Sequence, residues 1–479
     1  MEKNEKTQNK FVTWLKESLT VRMFVVGTLS LLLLIPLAFI SNLIEERWDR
    51  KNDVIGEISE KWGEEVLIYG PVLKIPYVTY NKVYKENPET KQKYFVKESK
   101  VNYLYIFPEK YDVNGKLTPD VKYRGMYNTV VYNGKIKIDG AFAPIDYSML
   151  DVDNKENIMF DKSKIIFQIS NLKGIKNNVE ITLNKDNYKF ISKYQEPVDN
   201  YDYNYGNSWG RNSSLDDMIE TVKTVDMHNL ETGVLKIRDI ADSSSVTFNL
   251  DLDINGSQKF RIIPIGKQTT LNLKSDWSNP SFIGNYLPYN KDKQTDTSFD
   301  AKWKVIDLNR GFSQYFYGLL PDLQKYSFGV NLVVPANQYQ QSMRTSKYGF
   351  LVISLTFLVF VLFQSISKIN IHPFQYLLIG LALTMFYTLL ISISEHGGFL
   401  LAYLISSISV IALISWYSYS ILKHIKFVLM IFLSLTTLYT FIYVIIQLEN
   451  YALIVGSVGL FLILAAIMVA SRKIDWKSL

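Results

Sequence analysis

Cysteine is absent from all 479 residues. With it go a disulfide framework, a thiolate nucleophile and any cysteine-ligated metal. Histidine is scarce as well: His228, His372, His396 and His424 lie in separate segments, and no H-E-x-x-H is present. No metal site is therefore expected, and with no Gly-rich phosphate loop or dinucleotide fingerprint no cofactor is expected either. Lys and Arg total 52 against 46 Asp and Glu, a net charge of +6 spread along the chain rather than gathered in a tract. That distribution argues against a nucleic-acid partner. Residues 348–470 are the poorest in charge, while 45–347 carry most of the ionisable side chains.

Where charge is missing, long apolar runs take its place. Phe374 to Ser394 is 21 residues without a charge, opened by His372-Pro373 and closed by Glu395-His396-Gly397-Gly398. At ~1.5 Å per residue it reaches ~31 Å, enough to cross a bilayer's hydrocarbon core. Met23 to Ile44 is a second such run, preceded by the basic leader 1–22 and stopped by Glu45-Glu46-Arg47-Trp48-Asp49-Arg50. It is long for a signal peptide and no small-x-small cleavage site follows, so an uncleaved anchor is expected, with Pro36 as a kink. Four further runs, near 349–367, 399–422, 427–447 and 452–470, bring the expected spans to six. With the leader inside, Lys368, Lys423, Lys426, Arg472, Lys473 and Lys477 all fall on the cytoplasmic side, and the loops with Glu395 and Glu449 fall outside. The positive-inside rule thus predicts cytoplasmic N- and C-termini and residues 45–347 on the far side.

The segment 45–347 has a different period. Apolar residues at helical spacing (Ile44, Trp48, Ile55, Ile58, Trp62) suggest a helix rising from the membrane. Beyond it, Val121–Tyr127, Asn128–Gly134, Lys135–Gly140 and Val246–Ile254 alternate apolar and polar side chains, rich in β-branched and aromatic types. Tyr132-Asn-Gly-Lys135 reads as a two-residue hairpin turn. The fold class predicted is an α+β membrane protein: six transmembrane helices with a large antiparallel, β-rich, sandwich-like extracytoplasmic domain between helix 1 and helix 2. The domains would be 1–22 leader, 23–44 first helix, 45–347 β-rich domain, 348–470 five-helix bundle and 471–479 tail. Asp199 to Ser214, rich in Asn, Asp, Tyr and Ser, reads as a long exposed loop.

Few motifs carry chemistry. Gly206-Asn-Ser208-Trp-Gly210 matches the nucleophile elbow in letters, but its polar flanks lack the strand and helix that motif needs. Asp251-Leu-Asp253-Ile-Asn255-Gly256 resembles the start of a calcium loop; Ile262 stands where the bidentate Glu should be, so a strand with a solvated polar face is the better reading. No catalytic residue is assigned and an enzyme is not expected. Glu395 and His396 end a span: a polar helix cap is the plain reading, and a proton-linked or partner-contact role the sharper one, since ionisable groups at membrane depth are costly. His372 joins them as a candidate. In the soluble segment Asn279-Pro280-Ser281-Phe282-Ile283-Gly284 is a candidate contact turn, with Asn279, Pro280 and Gly284 its key residues, against the plain reading of a structural turn. Absence of charge within the spans argues against an ion-coupled transporter.

Several of these residues, in order along nearly the whole chain, resemble the CreD family of bacterial inner-membrane, cell-envelope-integrity proteins. They are Glu46-Arg47 with Arg50, Gly70-Pro71, Arg124-Gly125 with Tyr127, Trp277 through Gly284 with Leu287-Pro288, Pro335 to Tyr339, His372 to Leu381, Met385-Phe-Tyr387, Ser394-Glu-His396 and Arg472 to Trp476. The likeness is weak from about 176 to 245. It implies a bacterial inner membrane, a periplasmic domain and a link to stress response, colicin tolerance and a two-component system; it supplies no reaction. The expectation is a scaffold or sensor for envelope integrity, in contact with the lipid bilayer and with an envelope protein, peptidoglycan or lipid partner. The alternative is a transporter or channel for a small or lipidic ligand.

Overall fold

The structure, a computed structural model, describes residues 19–86, 93–145, 157–192, 224–236, 245–290, 294–332, 334, 338–367, 371–422, 424–448 and 451–472. The segments around Ser208 and 199–214 lie outside the described residues. The chain forms two compact units, Met1–Asp53 with Ala336–Leu479, and Val54–Pro335.

The first unit is helical. Its elements are α1 (Leu19–Leu32), the start of α2 (Leu34–Trp62), α3 (Gln338–Lys347), α4 (Gly349–Ser367), α5 (Pro373–Leu422), α6 (Ile425–Gln447) and α7 (Ala452–Ser471). The break between α1 and α2 follows from Pro36, which has no N–H to offer the Leu32 carbonyl. Leu33 N–H still donates to Leu29 O at 3.0 Å and Leu37 N–H to Leu33 O at 3.4 Å, so the apolar helix carries on. Leu33, Leu37 and Ile44 then pack with Phe357 and Phe360 of α4, Leu383 and Phe386 of α5 and Ile431 of α6 in one core. Among the described residues four helices are long and apolar enough to cross a membrane, Met23–Trp62, Pro373–Leu422, Ile425–Gln447 and Ala452–Val469, and five if α3 and α4, bent by 43°, form one span.

The expected runs 374–394 and 399–422 form the two helical legs of α5, which meet at a kink at Gly398, whose non-helical φ of 76° and ψ of 163° suit glycine alone; the first leg runs on through Gly397. Where peptide groups find no water, hydrogen bonding favours continuing the helix through Glu395–Gly397 over opening a loop.

The second unit is a 15-stranded sheet. Its strands are β1 (Val66–Glu86), β2 (Lys93–Ile106), β3 (Lys110–Arg124), β4 (Tyr127–Phe142), β5 (Lys164–Ile169), β6 (Glu180–Leu183), β7 (Asp186–Ser192) and β8 (His228–Thr232). They continue with β9 (Val246–Ser257), β10 (Lys259–Ile262), β11 (Gln268–Ser275), β12 (Pro280–Gly284), β13 (Phe299–Ile306), β14 (Tyr315–Tyr317) and β15 (Phe328–Leu332). The order is β12-β15-β10-β1-β5-β8-β7-β6-β9-β4-β3-β11-β13, with β2 and β14 branching from β1. Pairing is antiparallel except for β1 with β10 and β3 with β11.

Two expectations need correcting here. The strands follow one path rather than two separate sheets, because β7 pairs with β6 through Asp186–Lys189 and then with β8 through Phe190–Ser192. Its end strands approach through Phe282 of β12, edge-on to Phe299 and Trp303 of β13 at 6.1 and 5.6 Å, giving a nearly closed barrel. The second correction concerns Asn133-Gly134, which lies inside β4, paired to β3 and β9 on both sides. The tight turn is instead Gly125-Met126, with Arg124 opposite Tyr127 and Gly125 at φ 62°. Flanking strands override turn chemistry because Tyr132, Ile136 and Ile138 keep the alternation that buries one face. Val246–Ser257 does form a strand, with Asp251 exposed and Asp253 accepting a 2.9 Å bond from Asn133 Nδ2.

Candidate functional site

Glu395 lies three residues before the Gly398 bend, and α2, α3 and the first leg of α5 supply its surroundings. Its side chain is only 10% exposed, and its Oε1 is 3.7 Å from Arg47 Nε, a guanidinium 36% exposed. That distance gives an ion pair without a hydrogen bond, and Oε1 is buried with no hydrogen-bond partner. One residue on, Trp48 packs edge-on to Tyr339 of α3 at 6.4 Å. One turn on from Arg47, Lys51 Nζ lies 5.3 Å from the Trp48 ring centre and 5.9 Å from that of Tyr339. Ser41 Oγ reaches Ser346 Oγ at 3.3 Å. A buried carboxylate, two cations and two aromatic rings are therefore gathered from three elements far apart in sequence. A carboxylate with one loose ionic partner is a group whose partners can change at small cost, unlike one locked by several donors.

His396 does not join this site. It is exposed, and its Nδ1 lies 3.3 Å from the Ser392 carbonyl of its own helix. Successive residues on a helix point about 100° apart, so Glu395 faces inward while His396 faces out. His372 has a plainer role. Phe374 N–H donates to His372 Nδ1 at 3.2 Å, and His372 N–H donates to Gln375 Oε1 at 2.9 Å. These reciprocal bonds, with Pro373 at the first helical position, make His372 the N-cap of α5.

Asn279, Pro280 and Gly284 do not form a turn. Pro280–Gly284 is the end strand β12, paired antiparallel to β15. Proline is tolerated there because an end strand needs no donor on its open side. Gly284 has φ 90°, and a Cβ on it would lie 2.1 Å from the Ser327 carbonyl oxygen. Asn279 Nδ2 donates to Ser278 Oγ at 2.8 Å on the surface. The segment closes the barrel through Phe282.

Three buried charges in the β unit escape a reading by motif. Arg261 donates to Ser327 Oγ at 3.0 Å and pairs with Glu65. Arg310 donates to Ile265 O at 2.9 Å and to Gln314, and stacks 4.6 Å over Phe312; burial lowers its pKa to about 10. Glu231 takes Lys74 at 2.9 Å and Lys164 at 3.5 Å. Beside them burial, then the Glu231 charge and Tyr103, push Tyr105 up to about 12. The available signal was a charge inside an apolar strand run, as in Val72-Leu-Lys-Ile75 and Phe260-Arg-Ile-Ile263. Among the described residues no group of three or more His, Cys, Asp or Glu is placed to hold a metal.

The chain matches the family described as inner membrane protein CreD over residues 18–477. It is 27% identical over 449 residues to the inner membrane protein CreD of Escherichia coli (strain K12), covering 93% of this chain and 91% of that protein. No solved structure matches it.

Proposed function

The chain belongs to the CreD family of inner membrane proteins, and on that premise we propose that it is an envelope scaffold or sensor acting through its β unit. In this reading both termini are cytoplasmic, the β unit is periplasmic, and six helices cross the bilayer. The bend at Gly398 supports two crossings in α5, since 50 residues would otherwise extend ~75 Å, more than twice the hydrocarbon core. The placement of lysines and arginines supports the orientation. The role in envelope integrity and stress response comes from the family likeness.

The observation that carries the reading is a filled interior. Trp303, Tyr111, Tyr132, Phe260 and Phe328 are almost wholly buried inside the sheet. A unit filled in this way meets partners on its surface, which suits a contact module better than a carrier or a catalyst. No reaction is assigned. The direct test restores the gene to cells lacking it, as the full chain or with residues 64–334 replaced by a short linker. The full chain is expected to restore resistance to envelope stress and the shortened one to fail; equal restoration would contradict the reading. Glu395→Gln in the full chain is expected to leave the protein in the membrane and reduce that resistance measurably.

A second reading, a carrier for a lipidic ligand, draws on the helical unit. A groove of about 420 Å³ runs between α4, α6 and α7, lined by Leu355, Thr356, Phe360, Met430, Leu438 and Ile463. Its lining suits an acyl chain and not a polar solute. The unpartnered, buried hydroxyls of Tyr387 and Tyr439 also belong to this unit.

A further inference from the structure

The β1–β2 ribbon carries a surface that neither reading explains. Beyond the stretch where β1 meets β5 and β10, the two strands pair, among the described residues, only with each other, from Val78 opposite Val101 to Glu86 opposite Lys93. That free length is roughly 30 Å at ~3.4 Å per residue. A two-stranded ribbon buries little of its own surface and is marginal without further contacts.

Directly opposed residues share a face, so the register places Val78, Tyr80, Lys82 and Tyr84 together with Val101, Ser99, Lys97 and Phe95. Tyr84 and Phe95 pack with ring centres 4.3 Å apart yet remain 66% and 59% exposed, and Tyr80 and Val101 are exposed beside them. Lys82 stands directly opposite Lys97. Like charges so placed repel. The opposite face is different: Lys85 pairs with Glu98 at 2.7 Å, and Asn102 donates to Thr79 at 2.8 Å. That face carries an ion pair. The other combines exposed rings with facing cations that make no ion pair among the described residues.

We infer that this face of the ribbon docks on an anionic lipid surface, the lysines meeting headgroup phosphates while Tyr80, Tyr84 and Phe95 enter the interface. Tyrosine and lysine are the side chains that settle at a membrane–water boundary, each with an apolar body and a polar end. Charge complementarity argues against a second copy of the same face, because its lysines would meet these. An anionic polysaccharide would satisfy the lysines, but it has no apolar layer to receive the exposed Phe95 edge and Val101.

The inference goes beyond the scaffold reading and stands or falls separately from it, since its test contains no envelope protein. Full-length protein is held in nanodiscs of phosphatidylcholine and mixed with vesicles of phosphatidylcholine alone or rich in phosphatidylglycerol; co-flotation is measured. The wild type floats with the anionic vesicles only. Lys82→Gln with Lys97→Gln weakens that binding roughly thirtyfold, at ~1 kcal/mol per lysine near the surface. Tyr84→Ser with Phe95→Ser weakens it as well. These side chains are exposed, so the fold does not depend on them. Flotation with neither vesicle, equal flotation with both, a lysine variant that binds like the wild type, or preference for isolated anionic cell-wall polymer over vesicles would each overturn the inference.

Discussion

The two units differ in how they hold their buried charges. In the β unit Arg261, Arg310 and Glu231 each have two or more partners, drawn from strands and loops. In the helical unit Glu395 has one ionic partner beyond hydrogen-bonding distance. Buried hydroxyls without a hydrogen-bond partner occur in both units, Tyr111 and Ser163 in the β unit and Tyr387 and Tyr439 in the helical one. Satisfied networks rigidify and specify one structure; unsatisfied groups mark places where partners can change. The β unit's buried charges are thus held in place by several partners each. In the helical unit the loosely held charge is Glu395, near the kink of α5.

If that contrast is right, removing a partner in the β unit does the most damage. Arg261→Ala strands Glu65 in a partly buried position and is expected to cost about 3–5 kcal/mol, read as a loss of protease resistance of β10 and β15 in the full chain. A loss under 1 kcal/mol would place Arg261 with the adaptable groups instead. Gly398→Ala comes next. There is open space around this glycine, so the cost is conformational, about 1–3 kcal/mol in resistance to denaturing detergent. At the start of the same helix, His372→Ala should cost about 1 kcal/mol and His372→Asn only a few tenths, because asparagine also caps.

The smallest expected effect is alkaline. Tyr105 has its pKa raised to about 12 in the fold, so the stabilisation it carries is complete below pH 10 and is lost as pH rises towards 12. Hydrogen-exchange stability of the full chain should therefore fall over that window in the wild type and fall less in Tyr105→Phe, with the two alike at neutral pH.

Much of this plan is written locally. The run from Phe374 to Ser394, the alternation in Val246–Ile254 and the His372-Pro373 start each act through neighbours in the chain, and each forms the element its pattern predicts. Three features are not local. Glu395–Gly398 reads as a loop, yet helical turns run on through Gly397 and the break narrows to Gly398. Asn133-Gly134 reads as a turn, yet strands on both sides hold it extended. Asn279–Gly284 also reads as a turn, yet pairing with β15 makes most of it a strand. The pairing of Arg47 with Glu395 depends on two helices meeting, which no spacing within either segment announces.

The most direct test of the central claim places a photo-activatable residue in the full chain in living cells, at exposed Tyr123 of β3 or at exposed Trp416 of α5. The scaffold or sensor account predicts a discrete adduct with an envelope component from the β3 position and only lipid adducts from the α5 position. Capture of a discrete partner from Trp416 alone, with none from Tyr123 or other exposed β-unit positions, would contradict it and move the function into the helices.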